Sequence, residues 1–264
     1  MPSTDSLTIT FLGTGTSLGI PVIGCDCAVC TSPDPRNKRS RSSIYVQTGQ
    51  TSFVIDTGPD FRSQCLRENV RRVDAAVYTH PHSDHIMGFD DLRQFCFGEH
   101  ATMPVYSTPE CLETIQLAFA FAFDRANWNP VYLKPVAWPV TGPFEISDVR
   151  LTPLEVVHGK VRTVGYLLET GNRRLAAYIP DCKHIPESSI ELMKGVDSLI
   201  IDCLRLQPHW THLSLEEALA VREAVGPRQT WLTHISDRLD HASLAAGLAD
   251  GVQVAYDGLK LHFA

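Results

Sequence analysis

Four side chains able to bind a metal fall within six residues at His80-Pro81-His82-Ser83-Asp84-His85, directly after an apolar run at residues 75–79. Imidazole and carboxylate suit zinc, manganese and iron at hydrolytic sites, where the ion lowers the pKa of bound water toward neutrality. Two residues apart beyond a strand, His80 and His82 can bind one ion while the turn aims Asp84 and His85 at a second. With 11 histidines in the chain some clustering is unsurprising, so partners elsewhere decide the matter. His158, Asp181 and His234 each follow an apolar run of their own, as groups held at the ends of strands in a rigid sheet would. A second cluster is sulfur: Cys25, Cys27 and Cys30 are spaced too tightly for ordinary mutual disulfides but naturally for tetrahedral zinc, which needs a fourth ligand. The other five of the 8 cysteines are scattered. Cys182, beside Asp181, reads as a small packing residue rather than a nucleophile.

The elements that must position these groups follow from pattern. Residues 7–12 alternate Thr with apolar residues and predict an opening strand, followed by a long loop punctuated by Gly13, Gly15, Gly19, Pro21, Gly24, Pro33 and Pro35. A hairpin is expected over 43–48 and 52–56, and then a short helix capped by Asp60 and running to 69. The strand 75–79 comes next, then a helix over 109–121 led by Pro109. Residues 124–143 hold four prolines and two tryptophans without periodicity and read as an insertion lying over the scaffold. Strands are expected over 149–157, 164–169, 174–179, 197–203 and 230–234, with closing strands at 252–254 and 259–263. Between them lie a helix after the capping box Ser214-Leu215-Glu216-Glu217 and another over 242–249. One layered α/β domain over residues 1–264 fits the 264-residue length, with no repeat or linker to divide it.

His-x-His-x-Asp-His after a strand resembles the hallmark of the metallo-β-lactamase-fold hydrolases. The resemblance extends over nearly the whole chain and implies an α/β, four-layer αββα sandwich with the site at one edge of the sheets. It implies that His80, His82 and His158 hold a first metal and Asp84, His85 and His234 a second, with Asp181 bridging. Leu12-Gly13-Thr14-Gly15-Thr16-Ser17, Gly19-Ile20-Pro21, the Cys25-x-Cys27-x-x-Cys30 loop and Arg39-x-Arg41-Ser42-Ser43 are similar to the PhnP-type phosphoribosyl 1,2-cyclic phosphodiesterases, a branch acting in bacterial phosphonate breakdown. In that branch a histidine before the penultimate helix donates a proton or contacts phosphate. His212 matches its position, with His209 a close competitor. The branch also completes its cysteine site with a histidine three residues after the last catalytic one, where this chain has Asp237; Asp237 or His241 is then the fourth ligand of a structural zinc, or the site is empty.

The implied reaction is hydrolysis of a small cyclic phosphodiester such as phosphoribosyl 1,2-cyclic phosphate. A hydroxide shared by two Mn2+ or Zn2+ ions attacks phosphorus, Asp84 helps hold the cations, and His212 protonates the departing oxygen. Net charge −7 is the wrong sign for a long nucleic-acid substrate, which weighs against a tRNA 3′-end endonuclease of the same superfamily. A non-catalytic metal- or ligand-binding scaffold akin to cofactor-biosynthesis relatives is the third reading. Arg36, Lys38, Arg39 and Arg41 read as a solvated face, with phosphate contact the alternative. Phe119, Phe121, Phe123, Trp128, Tyr132 and Trp138 either wall the substrate entrance or pack in the core. Gly13-x-Gly15-x-x-x-Gly19 has the wrong spacing for a dinucleotide loop and reads as a turn near the metals. The first residues do not read as a signal peptide and no apolar run approaches the roughly twenty residues that span a bilayer, pointing to the cytoplasm and no membrane partner. Whether the chain forms a homodimer is left open.

Overall fold

A computed structural model describes residues 6–98, 101–129, 131–171 and 173–264. Chain order is β1 (Leu7–Gly13), β2 (Ser43–Gln47), β3 (Ser52–Ile55), α1 (Phe61–Arg67), β4 (Ala75–Val77), α2 (Ser83–Ile86), β5 (Met103–Ser107), α3 (Pro109–Ala118), α4 (Ala120–Phe123) and β6 (Pro135–Pro139). Then follow β7 (Phe144–Ile146), β8 (Val149–His158), β9 (Val161–Thr170), β10 (Arg173–Ile179), α5 (Glu187–Met193), β11 (Ser198–Asp202), α6 (Leu215–Val225), β12 (Gln229–Thr233), α7 (His241–Ala246), β13 (Val252–Val254) and β14 (Lys260–Phe263). The strands form two seven-stranded sheets, ordered β14-β1-β2-β3-β4-β5-β6 and β13-β12-β11-β10-β9-β8-β7. Each sheet is antiparallel at one end and parallel from its middle to the other, where helical crossovers return the chain.

Side-chain period explains the layering. In β1, Leu7, Ile9 and Phe11 point between the sheets, where they meet Val149, Leu151, Tyr166 and Tyr178 of the second sheet. The outer face of the first sheet packs Val54, Ala76 and Val105 against Phe61 of α1, Phe89, and Leu112 and Ile115 of α3. Ala177, Ile179, Leu199 and Ile201 do the same on the second sheet against Met193 of α5, Ala218 and Val225 of α6, and Leu244 of α7. The product is the expected αββα sandwich. Among the described residues no helix is long and apolar enough to cross a membrane.

Several local expectations need correcting. Within 124–143, Pro135–Pro139 is an edge strand paired in parallel with β5, so that stretch is partly scaffold; prolines are tolerated there because an edge strand leaves one row of groups unpaired. The helix led by Pro109 breaks at Phe119, whose φ is −120°, and resumes as α4. Asp60 makes no side-chain capping bond to α1; its carboxylate accepts from Arg41 N at 2.9 Å and Arg41 Nη1 at 3.0 Å. The capping box at Ser214 is formed as expected, and Gly226 ends α6 with φ +66°. Helix α5 and strands β5 and β7 have no counterpart among the sequence expectations.

The basic run is a solvated face only in part: Arg36 and Lys38 are exposed and Arg41 is half-buried, but Arg39 turns inward. Arg39 is 2% exposed and donates to Thr14 Oγ1 at 2.7 Å and Ala255 O at 2.6 Å, tying the glycine loop to the last strands. Arg36 pairs with Asp34 at 2.7 Å, Arg41 with Asp60, and Lys38 donates to Cys30 O at 2.8 Å. Gly15 bridges residue Arg41 on one side and Ile235 on the other, so the glycine loop is a close backbone crossing beside His234.

Gly58 makes the tightest crossing near the ligands: a Cβ there would lie 2.1 Å from Asp84 O. The same loop is joined to α2 by Thr57 N to His85 O and Gly88 N to Thr57 O, both 2.8 Å. Gly58→Ala is therefore expected to cost about 1–3 kcal/mol of stability, read as a lower denaturant midpoint; an unchanged midpoint would contradict this packing.

Candidate metal centre

Both sheets deliver ligands to one edge. His80 and His82 follow β4, Asp84 and His85 stand on α2, His158 ends β8, Asp181 follows β10 and His234 follows β12. Strands β8, β10, β11 and β12 point the same way, so their C-terminal ends share that edge, and Val164 N donates to Thr79 O at 3.1 Å to clamp the sheets together beside it.

The side chains converge in two groups. His80 Nε2 and His82 Nδ1 are 2.9 Å apart, and His158 Nε2 is 3.3 Å from the same His82 nitrogen. Asp181 Oδ2 faces this trio at 3.9 Å from His80 Nε2 and 3.8 Å from His158 Nε2. Its other oxygen, Oδ1, lies 3.3 Å from His85 Nε2 and 3.2 Å from His234 Nδ1, and Asp84 Oδ2 is 3.4 Å from His85 Nε2. Asp181 thus stands between the groups with one oxygen toward each.

Donor chemistry and polar satisfaction both fit divalent cations. His85 Nε2 and Asp181 Oδ1 are buried without a hydrogen bond, and such orphaned atoms are costly unless a cation completes them. Burial holds His80 well below the ordinary imidazole pKa and takes His234 down to about 3, keeping the neutral form that ligates metal. His85 goes the other way: burial would lower it, but the carboxylates of Asp181 and Asp56 outweigh burial.

Asp56 was missed in the sequence as a functional residue. It is fully buried, accepts from Thr79 N at 2.9 Å and Thr79 Oγ1 at 2.8 Å, and holds His85 Nδ1 at 2.8 Å, turning Nε2 toward Asp181. Its position just after an apolar strand, like the ligands, was the available signal. His158 Nδ1 is likewise held by Thr211 O at 2.8 Å. Asp56 and His234 both adopt left-handed backbone, φ 66° and 57°, a conformation that non-glycine residues rarely adopt and that is concentrated at functional sites.

His212 stands beside the ligands, its ring 4.7 Å from those of both His158 and His234. Buried Asp202, at the end of β11, accepts from His212 Nδ1 at 2.9 Å and from Cys182 N at 3.0 Å. Burial would lower the His212 pKa, but the hydrogen bond to Asp202 outweighs it and the pKa is raised. His209 sits farther out, 5.3 Å from the His212 ring, with Nδ1 turned to its own Thr211. A cavity of about 290 Å3 opens over the group and is lined by His82, Asp84, His158, Asp181, His212 and His234, with Ser17 and Lys160. The aromatic residues of 119–138 do not line it: Phe123 stacks on Phe89, Phe119 meets the same ring at a tilt of 38°, and Trp138 stacks on Tyr106. Cys182 is fully buried in the second sheet's outer core.

Cys25, Cys27 and Cys30 meet Asp237 in a second donor group, with Asp237 Oδ2 3.9 Å from the sulfurs of Cys25 and Cys27. His241 does not join it, because its Nδ1 faces Arg39 Nη2 at 3.1 Å inside the protein. The Cys30 backbone N–H lowers the Cys27 thiol, which favours the ligating thiolate, while burial pushes Cys30 up to about 11. All eight cysteines are free of disulfides.

Comparison with known proteins places this geometry. The model of the β-lactamase superfamily domain matches residues 51–235. An octanoyltransferase of Porphyromonas gingivalis is 34% identical over 254 residues, covering 94% of this chain and 50% of that protein, so the chain spans half of that relative's length. A coenzyme PQQ synthesis protein B of Methylorubrum populi is 28% identical, covering 90% of this chain and 84% of that one. The crystal structure of a diphosphatase from the PhnP family superposes with a TM-score of 0.89 at 39% identity, covering 98% of this chain and 97% of that one. The chain therefore belongs to the β-lactamase superfamily, with the metallo-β-lactamase fold, and its clustered histidines and aspartates have the donor chemistry to hold a divalent metal.

Proposed function

We propose that this chain hydrolyses a small cyclic phosphodiester of the ribosyl 1,2-cyclic phosphate type. His80, His82 and His158 would hold one ion and Asp84, His85 and His234 another, with Asp181 between them. Bound there, Mn2+ or Zn2+ would supply an acidified water and positive charge for the phosphate oxygens. That local charge lets a chain of net charge −7 accept an anion.

The observation that carries the reading is the His212–Asp202 pair beside the ligands. With Nδ1 committed to Asp202, Nε2 is the nitrogen that delivers a proton to the leaving oxygen. Opening a cyclic diester expels an alkoxide, whose conjugate acid is very weak, so a proton donor at that point lowers the barrier. Hydrolysis of a diphosphate expels a phosphate, which departs without one. Diphosphate hydrolysis is the second reading, supported by the 39% identity to a PhnP-family diphosphatase. Long RNA is disfavoured, because the cations of residues 36–41 are spent on Asp34, Asp60 and backbone carbonyls.

The test is a substrate panel on zinc- and manganese-loaded protein, spanning five- and six-membered cyclic phosphates, bis(p-nitrophenyl) phosphate, diphosphate and precursor tRNA. Turnover of the five-membered ribosyl phosphate is expected to lead; turnover of diphosphate or precursor tRNA alone would overturn the proposal. His82→Ala should abolish hydrolysis of bis(p-nitrophenyl) phosphate, and full retained activity would sink the assignment of the ligands.

The cysteine group is proposed as a separate structural zinc site with ligands Cys25, Cys27, Cys30 and Asp237. Cys27→Ala is expected to remove one zinc per chain and lower the unfolding temperature while leaving the histidine-bound metal in place. Unchanged zinc content would count against it.

A further inference from the structure

Away from the metal centre, α1 and the helical turn Phe89–Phe95 enclose a larger cavity of about 620 Å3, within the size range of sites for small organic molecules. Its floor is apolar. Phe61 is fully buried and meets Phe95 edge to face at 6.4 Å, and Val70 lies beside them. Its rim is cationic, formed by the exposed residues Arg62, Arg71 and Arg93 against the single lining carboxylate of Asp91. Arg93 meets Asp90 at 3.5 Å, and Arg71 Nε donates to the Asn69 side chain at 2.7 Å. Among the described residues neither Arg62 nor Arg71 has a carboxylate partner within ion-pair distance.

Three guanidinium groups around one cavity with an apolar floor are unexpected on a chain with net charge −7. They repel one another, and an anion among them would remove that repulsion. Guanidinium forks match carboxylate, sulfonate and phosphate oxygens, while the phenylalanine floor suits a ring or an alkyl chain. No metal ligand lines this cavity, so its occupant is distinct from the hydrolysed substrate.

We propose that this cavity binds an amphipathic anion, with its apolar body on Phe61 and Phe95 and its acidic head among Arg62, Arg71 and Arg93. The inference does not depend on which phosphate compound the metal centre hydrolyses.

The test is a fluorescence titration of the metal-loaded protein with 8-anilinonaphthalene-1-sulfonate. Saturable binding at one site per chain is expected, weakened at least tenfold in the Arg62→Gln/Arg71→Gln double variant. Dodecanoate should displace the probe, while dodecanol and inorganic phosphate should not. Leu66→Glu, which adds a negative charge at an exposed position on the same rim, should weaken binding in the same way and serves if the double variant does not fold. Both variants should keep wild-type hydrolysis of bis(p-nitrophenyl) phosphate, which separates this site from the metal centre. Absence of saturable binding, binding unchanged in the folded variants, or displacement by dodecanol as strongly as by dodecanoate would each overturn the proposal.

Discussion

One imidazole held between two buried carboxylates sets the terms for this molecule. Asp56 grips His85 at Nδ1, and Asp181 faces its Nε2 from the other side, with all three side chains out of water. Burying charge so deeply is costly unless it is paired or coordinates a metal. The orphaned His85 Nε2 and Asp181 Oδ1 mark where the pairing is incomplete, at the junction of the two ligand groups. Asp56 comes from the first sheet and Asp181 from the second, so the arrangement exists only while the sheets are packed face to face with their strand ends aligned.

The fold supplies that alignment. Apolar alternation in β1, β2 and β3 and in β8, β9 and β10 builds the shared inner core, and the parallel halves of both sheets then end on the same side. Close crossings at Gly13, Gly58 and Gly88 let the N-terminal loop, the 56–58 loop and α2 lie against one another without side chains between them. The left-handed backbone at Asp56 and His234 turns each chain sharply at the strand end, so the side chain enters the site. Protein-wide acidity is then no obstacle to anion chemistry, because the relevant field is local.

Much of this was legible in the sequence where function is written locally. His80 to His85 is one contiguous motif, and His158, Asp181 and His234 were visible because each ends an apolar run. What escaped was settled by partners distant in the chain. Asp56 acts through His85, and Asp202 through His212, and neither relation has a spacing to read. Choosing between Asp237 and His241 required knowing that Arg39 is buried against His241, although charge runs at the surface are the commoner case. Strand β6 was hidden for another reason: its prolines are poor strand formers, and only its place at the sheet edge accommodates them.

The central claim is that His212, held by Asp202, protonates the leaving oxygen of a phosphodiester opened at the metal centre. Leaving-group dependence tests it most directly, by comparing wild type with His212→Ala on a ribosyl 1,2-cyclic phosphate and on bis(p-nitrophenyl) phosphate. The account predicts a kcat loss of about 10²–10⁴ on the sugar ester, the usual worth of a positioned general acid, and a far smaller loss on the nitrophenyl ester, whose leaving group needs no proton. Equal losses on the two substrates, or no loss on either, would contradict it.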